Sequence, residues 1–180
     1  MYYSRKIYGK KVYLRNIEIS DCNENYLNWL NDPQINQFLE TRHSHQSIEL
    51  IKEFVTSQIN SENSYLFAII EKKTGRHIGN IKLGPINYFH LFAEVSYFIG
   101  EKIYWGKGFA TEAIGLVTKF GFDKEGLFKC IAGIYESNEA SKRALEKAGY
   151  RFEGSIKKKL INCSKQREDH LYFGIVNEAP

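Results

Sequence analysis

A segment with two closely spaced glycines constrains the fold of this chain more than any other feature of its sequence. It separates an apolar strand-like run from a helical run and reads Trp105-Gly106-Lys107-Gly108-Phe109-Ala110-Thr111-Glu112-Ala113. Small residues let the backbone approach a ligand closely, and successive N–H groups at a helix start can point at one anion. Lys107 adds a mobile positive charge. The segment therefore predicts a pyrophosphate-binding loop between a strand and a helix, with a purely structural turn as the alternative.

The spacing of apolar residues along the chain predicts both strands and helices. Strands are predicted in the run from Val12 to Ile17 and at Tyr65–Glu71, His77–Leu83, Ala93–Ile99, Lys129–Tyr135, Arg151–Ile161 and Glu168–Val176. Helices are predicted after Ser20-Asp21 as far as Asp32-Pro33, from Ile48 to Ile59, at Glu112–Phe122 and at Ala140–Ala148. A loop is expected around Pro85–His90. This order predicts an α/β chain with a mixed sheet, in a single domain over residues 1–180.

Composition narrows the class of protein further. Hydrophobic residues make up 43% and charged residues 26% of the chain, as in ordinary globular proteins. The three cysteines, Cys22, Cys130 and Cys163, have no C-x-x-C spacing, which argues against a disulfide framework and against a zinc site. No apolar stretch reaches the ~18 residues of a membrane span, and residues 1–10 lack the apolar segment of a signal peptide. We therefore expect a cytoplasmic protein with no metal and no membrane partner.

The glycine segment resembles the acyl-CoA pyrophosphate loop of the GNAT superfamily of acetyltransferases, whose pattern is [QR]-x-x-G-x-[GA]. Trp105 departs from the first position of that pattern, but the variant W-G-K-G-[YF]-A-T-E-A resembles the branch that acetylates the N-termini of ribosomal proteins. A second segment, from Asn138 to Tyr150, is similar to the family pattern N-x-x-[AS]-x-x-x-x-E-K-x-G-[FY]. Two motifs in the right order are more specific than either alone.

The resemblance implies a fold, a co-substrate and a set of binding residues. The fold is a mixed, mostly antiparallel seven-stranded sheet, flanked by helices, in which two central parallel strands splay apart. The co-substrate is acetyl-CoA. Its binding residues are expected to be the backbone of Phe98 and Ile99, which would pair with the pantetheine arm, together with Trp105, Gly106, Lys107, Gly108, Phe109, Ala110, Thr111, Asn138 and Lys142. Asn138 has a second interpretation as the N-cap of its helix.

The same resemblance suggests which groups carry the chemistry. Glu94 lies eleven positions before Trp105, the spacing of the base glutamate in histone-acetylating members, and its alternative is a charge on a solvated strand. Glu136 is the next carboxylate in line. Many members place a tyrosine where this chain has Leu145, which cannot protonate a departing thiolate. Attention therefore shifts to Ser141, whose hydroxyl would donate to the sulfur, unless it is an ordinary helix residue.

The acceptor is an amine whose identity the sequence leaves open. The loop favours a protein N-terminal amine, whereas the segment from Asn28 to Phe38 resembles relatives that acetylate nucleotide-linked amino sugars. A homodimer is also left open. A non-catalytic acyl-CoA sensor is the rival interpretation, and the missing tyrosine at Leu145 gives it some support. The net charge of +4 comes from scattered residues, so we do not expect a nucleic-acid partner.

Overall fold

The helices and strands follow the sequence pattern closely. The structure, a computed structural model, describes residues 1–178. Its strands are β1 (Ile7–Tyr8), β2 (Val12–Asn16), β3 (Tyr65–Glu71), β4 (His77–Asn87), β5 (Phe92–Ile99), β6 (Lys129–Tyr135), β7 (Arg151–Ile161) and β8 (Arg167–Val176). Its α-helices are α1 (Glu24–Asn31), α2 (Pro33–Asn36), α3 (Ile48–Ile59), α4 (Phe109–Glu125) and α5 (Glu139–Lys147). Short 3-10 helices lie at Ile19–Asp21, Glu40–His43 and Lys102–Tyr104.

The strands form one mixed sheet in the order β1-β2-β3-β4-β5-β6-β8-β7. Neighbouring strands are antiparallel except for β5 and β6, which are parallel. The predicted fold class is confirmed. The sheet has eight strands within the described residues rather than seven, and the extra one is the two-residue β1 at the edge.

Two apolar clusters cover the two faces of the sheet. Alternation along β3 shows the division, since Tyr65 and Phe67 belong to the larger cluster and Leu66 to the smaller. Helix α4 packs on the first face through Ala113, Ile114, Val117 and Phe120. Helices α1 and α3 pack on the second face through Tyr26, Trp29, Leu30, Ile51 and Val55. Strand β3 in the middle of the sheet is therefore buried along its whole length, whereas β7 at the edge is mostly exposed.

The first helix begins later than the sequence suggested. Asn23, not Ser20 or Asp21, is the N-cap of α1, and its side chain accepts hydrogen bonds from the backbone of Asn25 and Tyr26. Asp21 is buried and forms an ion pair of 2.6 Å with Arg15 from β2. Because that carboxylate is already bonded to the neighbouring strand, it does not cap the helix.

The loop expected around Pro85–His90 is shorter than predicted. Strand β4 continues through Pro85 to Asn87, and only residues 88–91 form the connection to β5. The register between β4 and β5 shifts between Leu83 and Ile86, so the ladder is interrupted where proline lacks an N–H. This irregularity in register allows β4 to continue beyond Pro85, although proline commonly ends a strand.

The parallel pair in the middle of the sheet separates after three residue pairs. Phe92, Ala93 and Glu94 of β5 pair with Lys129, Cys130 and Ile131 of β6. Beyond them β5 continues to Ile99 paired with β4, and β6 continues to Tyr135 paired with β8. A wedge-shaped gap therefore opens between β5 and β6, as the resemblance implied.

Candidate active site

A cavity of about 690 Å³ lies where β5 and β6 part. Strand β5 forms one wall from Glu94 to Ile99, and β6 forms the other from Ala132 to Tyr135. Of the residues singled out in the sequence, those that line the cavity are Glu94, Phe98, Ile99, Trp105, Gly106, Gly108, Phe109, Ala110, Thr111, Asn138 and Ser141. Lys107 and Lys142 are not among the lining residues. The structure thus brings both motifs and the candidate base to one place.

The glycine loop is tied to the start of β2 by several hydrogen bonds. Lys11 Nζ donates to the carbonyl of Lys107 at 2.7 Å, while the Lys107 side chain itself is exposed. Glu112 Oε1, in the first turn of α4, accepts from the backbone N–H of Lys11 at 2.7 Å and of Val12 at 3.2 Å. Trp105 Nε1 donates to the Ile99 carbonyl at 2.8 Å. The indole therefore joins the loop to the end of β5, which gives the unusual residue at this position a structural role.

Both loop glycines adopt left-handed backbone conformations, with φ of +70° at Gly106 and +81° at Gly108. Gly108 is the N-cap residue of α4, which begins at Phe109 rather than at the predicted Glu112. Phe109, Ala110 and Thr111 thus form the first turn of the helix, where backbone N–H groups have no partner within the helix. These N–H groups and the helix dipole make this end of the cavity attractive to an anion.

Asn138 caps α5, so its alternative role is confirmed. Its Oδ1 accepts from the backbone N–H of Ser141 at 3.1 Å, and both residues line the cavity. Two basic residues of α5 that the sequence analysis did not single out, Arg143 and Lys147, also line it. Their spacing of four residues places them on one face of the helix, which is the sequence signal that identifies them.

Leu145 is fully buried in the larger apolar cluster and is not among the residues that line the cavity. Tyr97 of β5 does line the cavity, and its ring packs against the same cluster. The Tyr97 hydroxyl donates to the backbone carbonyl of Ser141 at 3.3 Å. Burial raises the pKa of Tyr97 to about 12, although the bond to Ser141 opposes that shift. Tyr97 lies on its predicted strand, but no motif in the sequence distinguishes it as a site residue.

One part of the cavity lies on the face of the sheet that carries Glu94, and we call this part the acceptor half. Glu94 is half-buried, and Lys82 of β4 and Ser96 and Phe98 of β5 line the same region. Four residues of the segment from Asn28 to Phe38 also line the cavity, namely Gln34, Ile35, Gln37 and Phe38. This half therefore contains a carboxylate within an otherwise mixed polar and aromatic wall.

The residues that follow α2 are held over this half by Arg42. Its guanidinium donates to the hydroxyl of Tyr135 at 2.9 Å and to the carbonyls of Gln37 and Ile161. The Tyr135 hydroxyl in turn donates to Glu40 Oε1 at 2.7 Å. Glu40 lines the cavity, so it brings a second carboxylate to the acceptor half. Glu136 does not line the cavity.

His170 of β8 lies over Gly133 of β6 and also lines the cavity. A Cβ at position 133 would lie 2.3 Å from His170 Nε2, so glycine provides the space for the ring. Burial and the charge of Lys159 lower the pKa of His170, while Glu40 opposes the shift. No sequence motif indicates this pair, because it depends on the register between β6 and β8.

None of the helices within residues 1–178 combines the length and apolar character of a membrane span. The His, Cys, Asp and Glu side chains of these residues form no group of three placed to hold a metal ion.

Known proteins resemble the chain in sequence and in structure. Residues 11–151 match the family model described as the acetyltransferase (GNAT) domain. The chain is 33% identical over 175 residues to the probable N-acetyltransferase YjcK of Bacillus subtilis, covering 94% of this chain and 96% of that one.

Two solved structures share the fold. One is the spermidine N-acetyltransferase of Vibrio cholerae in complex with CoA and spermine, with a TM-score of 0.82, 22% identity and coverage of 93% and 96%. The other is the ribosomal L7/L12 α-N-protein acetyltransferase RimL in complex with coenzyme A, with a TM-score of 0.87, 15% identity and coverage of 98% and 100%. The extent of the family match and the identity to YjcK show that this chain is an acyltransferase and belongs to the GNAT family of acetyltransferases.

Proposed function

We propose that this chain transfers the acetyl group of acetyl-CoA to a primary amine, by direct attack of the amine nitrogen. The observation that carries the proposal is one cavity lined by the glycine loop, the open edge of β5 and Glu94. The reaction needs an anion site for the phosphates, an extended site for the pantetheine arm and a proton acceptor. We propose that the catalytic unit spans residues 1–180, because β7 and β8 extend the sheet beside β6.

The loop residues fit the phosphate end of acetyl-CoA. A Cβ at Gly106 would meet no atom within 4 Å, and one at Gly108 would meet only Lys11 Nζ, at 3.5 Å. Open space therefore faces both glycines. We assign the phosphate and pantetheine contacts to the lining residues Phe98, Ile99, Trp105, Gly106, Gly108, Phe109, Ala110, Thr111 and Asn138, with Arg143 and Lys147 as cations. Lys107 and Lys142 do not line the cavity, and we propose them as further cations at its edge. When bound, acetyl-CoA supplies an acetyl group activated as a thioester.

The chain itself supplies a proton acceptor and hydrogen-bond donors. In this proposal Glu94 takes the proton of the attacking amine, directly or through water. A backbone N–H at Phe98 or Ile99, on the edge of β5 that β6 leaves open, donates to the thioester oxygen as negative charge develops on it. The Ser141 hydroxyl, which lines the same cavity, donates to the departing sulfur.

Among amine acceptors, the acceptor half favours a protein N-terminal amine over a nucleotide-linked amino sugar. Two carboxylates, Glu40 and Glu94, line this half beside one cation, Lys82. Carboxylates attract an ammonium group but repel a diphosphate. The fold shared with RimL, which is named for acetylating a ribosomal protein's α-amino group, agrees with this choice. The amino-sugar nucleotide is retained as the competing acceptor.

The proposal is tested by following thiol release from acetyl-CoA with a panel of amines. The panel contains peptides with free N-termini, polyamines and amino-sugar nucleotides, and each product is identified by mass spectrometry. Peptides are expected to give the highest kcat/KM. Faster turnover of the nucleotides would replace the acceptor assignment. Tight binding of acetyl-CoA without thiol release by any amine would contradict the enzyme proposal and favour a sensor.

Replacement of Ser141 with alanine is expected to lower kcat by about tenfold to hundredfold, with acetyl-CoA affinity nearly unchanged. The lost hydrogen bond matters mainly as charge develops on sulfur, so it affects the transition state more than binding. Ser141 makes its contacts to Asn138 and Tyr97 through its backbone, and alanine preserves both.

Ser137→Ala is the matched control for Ser141→Ala. Ser137 precedes α5, donates to Glu168 and is not among the residues that line the cavity. Its loss is expected to leave kcat unchanged. Steady-state kinetics and calorimetry on both variants separate turnover from binding. An unchanged kcat and pH profile in Ser141→Ala would leave Ser141 as an ordinary helix residue.

A further inference from the structure

The side chain of Tyr97 reaches from β5 to α5, across the region that widens between β5 and β6. Its strand is the wall whose edge β6 leaves open, and its hydroxyl contacts the carbonyl of Ser141 in the first turn of α5. The ring packs against the apolar cluster that contains Leu145. A phenol hydroxyl therefore lies on the Leu145 side of the sheet, although Leu145 itself has no donor.

The hydrogen bond that now holds this hydroxyl is a weak one. Its length of 3.3 Å exceeds the usual O–H···O distance of about 2.7–2.8 Å. Rotation about the C–O bond can therefore redirect the proton to a better acceptor at small cost. A thiolate is such an acceptor, because hydrogen bonds to charged groups are stronger than those to neutral carbonyls.

We propose that the Tyr97 hydroxyl is a second hydrogen-bond donor to the departing sulfur, beside Ser141. This inference rests on the proposed acetyl transfer. The amine nitrogen forms a bond to the acetyl carbon, and the carbon–sulfur bond then breaks with its electron pair passing to sulfur. The proton released by the amine goes to Glu94. Tyr97 donates a hydrogen bond to the sulfur but keeps its proton throughout. Glu94 returns the amine's proton to water, and the thiolate takes a proton from water.

The raised pKa of Tyr97 agrees with a donor that is not an acid. The pKa of about 12 lies well above that of an ordinary thiol, ~8.5. Proton transfer from the phenol to the thiolate is therefore uphill. The same burial keeps the hydroxyl protonated over the whole working range of pH, so the donor is always present.

Tyr97→Phe removes the hydroxyl and retains the ring. It is expected to lower kcat by about tenfold to hundredfold, with little change in the KM for acetyl-CoA. A second measurement does not depend on turnover. In the complex with free CoA, the ultraviolet absorbance of the thiolate gives the pKa of the bound thiol, which Tyr97→Phe is expected to raise by about 1 to 2.

Tyr150→Phe is the matched control. Tyr150 is a buried member of the larger cluster, against which Tyr97 also packs. Its hydroxyl is 2.7 Å from the Thr118 hydroxyl, and it is not a lining residue of the cavity. Loss of its hydroxyl is expected to lower the stability of the protein but to change neither kcat nor the pKa of the bound CoA thiol. An effect of Tyr97→Phe that matches this control would therefore be structural and would overturn the proposal.

The outcomes separate the inference from the proposed function. If the parent enzyme binds CoA but acetylates no amine, the function fails, and the thiol titration still decides whether Tyr97 contacts sulfur. If the parent acetylates amines but Tyr97→Phe changes neither kcat nor the bound thiol's pKa, only the role of Tyr97 is overturned. Absence of CoA binding by the parent chain would overturn both.

Discussion

Replacement of Glu94 with glutamine is expected to lower turnover at neutral pH by about 10²–10⁴. Glutamine keeps the shape of the side chain and removes the group that accepts the amine proton. At neutral pH an alkyl amine is almost entirely protonated, since its pKa is close to the ~10.4 of lysine. The loss should shrink as the pH rises, because more of the amine is then already unprotonated. Initial rates across neutral and alkaline pH measure this recovery.

The size of the Glu94→Gln effect should also depend on the acceptor. A peptide N-terminal amine has a pKa near 7.7–8.0, so it needs less help to lose its proton than an alkyl amine. We therefore expect a smaller loss for peptides than for polyamines. A loss that is equal for both, and constant with pH, would show that Glu94 acts on acceptor binding or on folding instead.

Glu136→Gln is the control for this carboxylate. Glu136 is exposed, accepts from the backbone of Asp169 and is not a lining residue of the cavity, so the substitution should leave turnover intact. Full activity in Glu94→Gln would move the base role to Glu40, the other carboxylate that lines the acceptor half. The sequence had placed Glu136 next in line. In our proposal Glu40 takes that place, because Glu40 lines the cavity and Glu136 does not.

Elements with a strong local pattern were predicted at their true bounds. Strands β3, β6 and β7 and helix α3 begin and end at the predicted residues, because an apolar period or a turn signal marks both ends. The start of α1 was wrong because Asp21 bonds to Arg15 of a neighbouring strand. Arg15 is only six positions before Asp21, but the spacing of apolar residues does not indicate that their side chains pair, so the sequence alone did not reveal that the cap lies at Asn23.

The same distinction applies to the site. Both motif segments and Glu94 were found from the sequence, since each stands in a recognisable pattern. Tyr97 and His170 were missed, because their place in the site depends on where the phenol hydroxyl and the imidazole ring lie relative to other strands and helices. The space for His170 comes from Gly133 on another strand, and only the register of β6 against β8 places the two together. Contacts between residues of different strands are thus the part of the site that a local sequence pattern does not predict.

The second large effect is expected from Gly108→Val, which should weaken acetyl-CoA binding by about two to four powers of ten. Gly108 has a φ of +81°, a conformation that a β-branched residue adopts only with strain. Valine should shift the loop toward another conformation and turn its N–H groups away from the phosphates. The estimate corresponds to the loss of two hydrogen bonds to a charged group, each ~1.5–3 kcal/mol. Calorimetry with CoA on the purified variant gives the affinity.

Gly126→Val separates lost binding from backbone strain. Gly126 ends the same helix with a φ of +64°, and a Cβ there meets no atom within 4 Å, but it is not a lining residue of the cavity. Both variants should lose similar thermal stability, because both force valine into the left-handed region. Only Gly108→Val should lose CoA affinity. If the two folded variants bind CoA equally well, the glycine loop does not hold the phosphates, and its glycines serve the strand–helix turn alone.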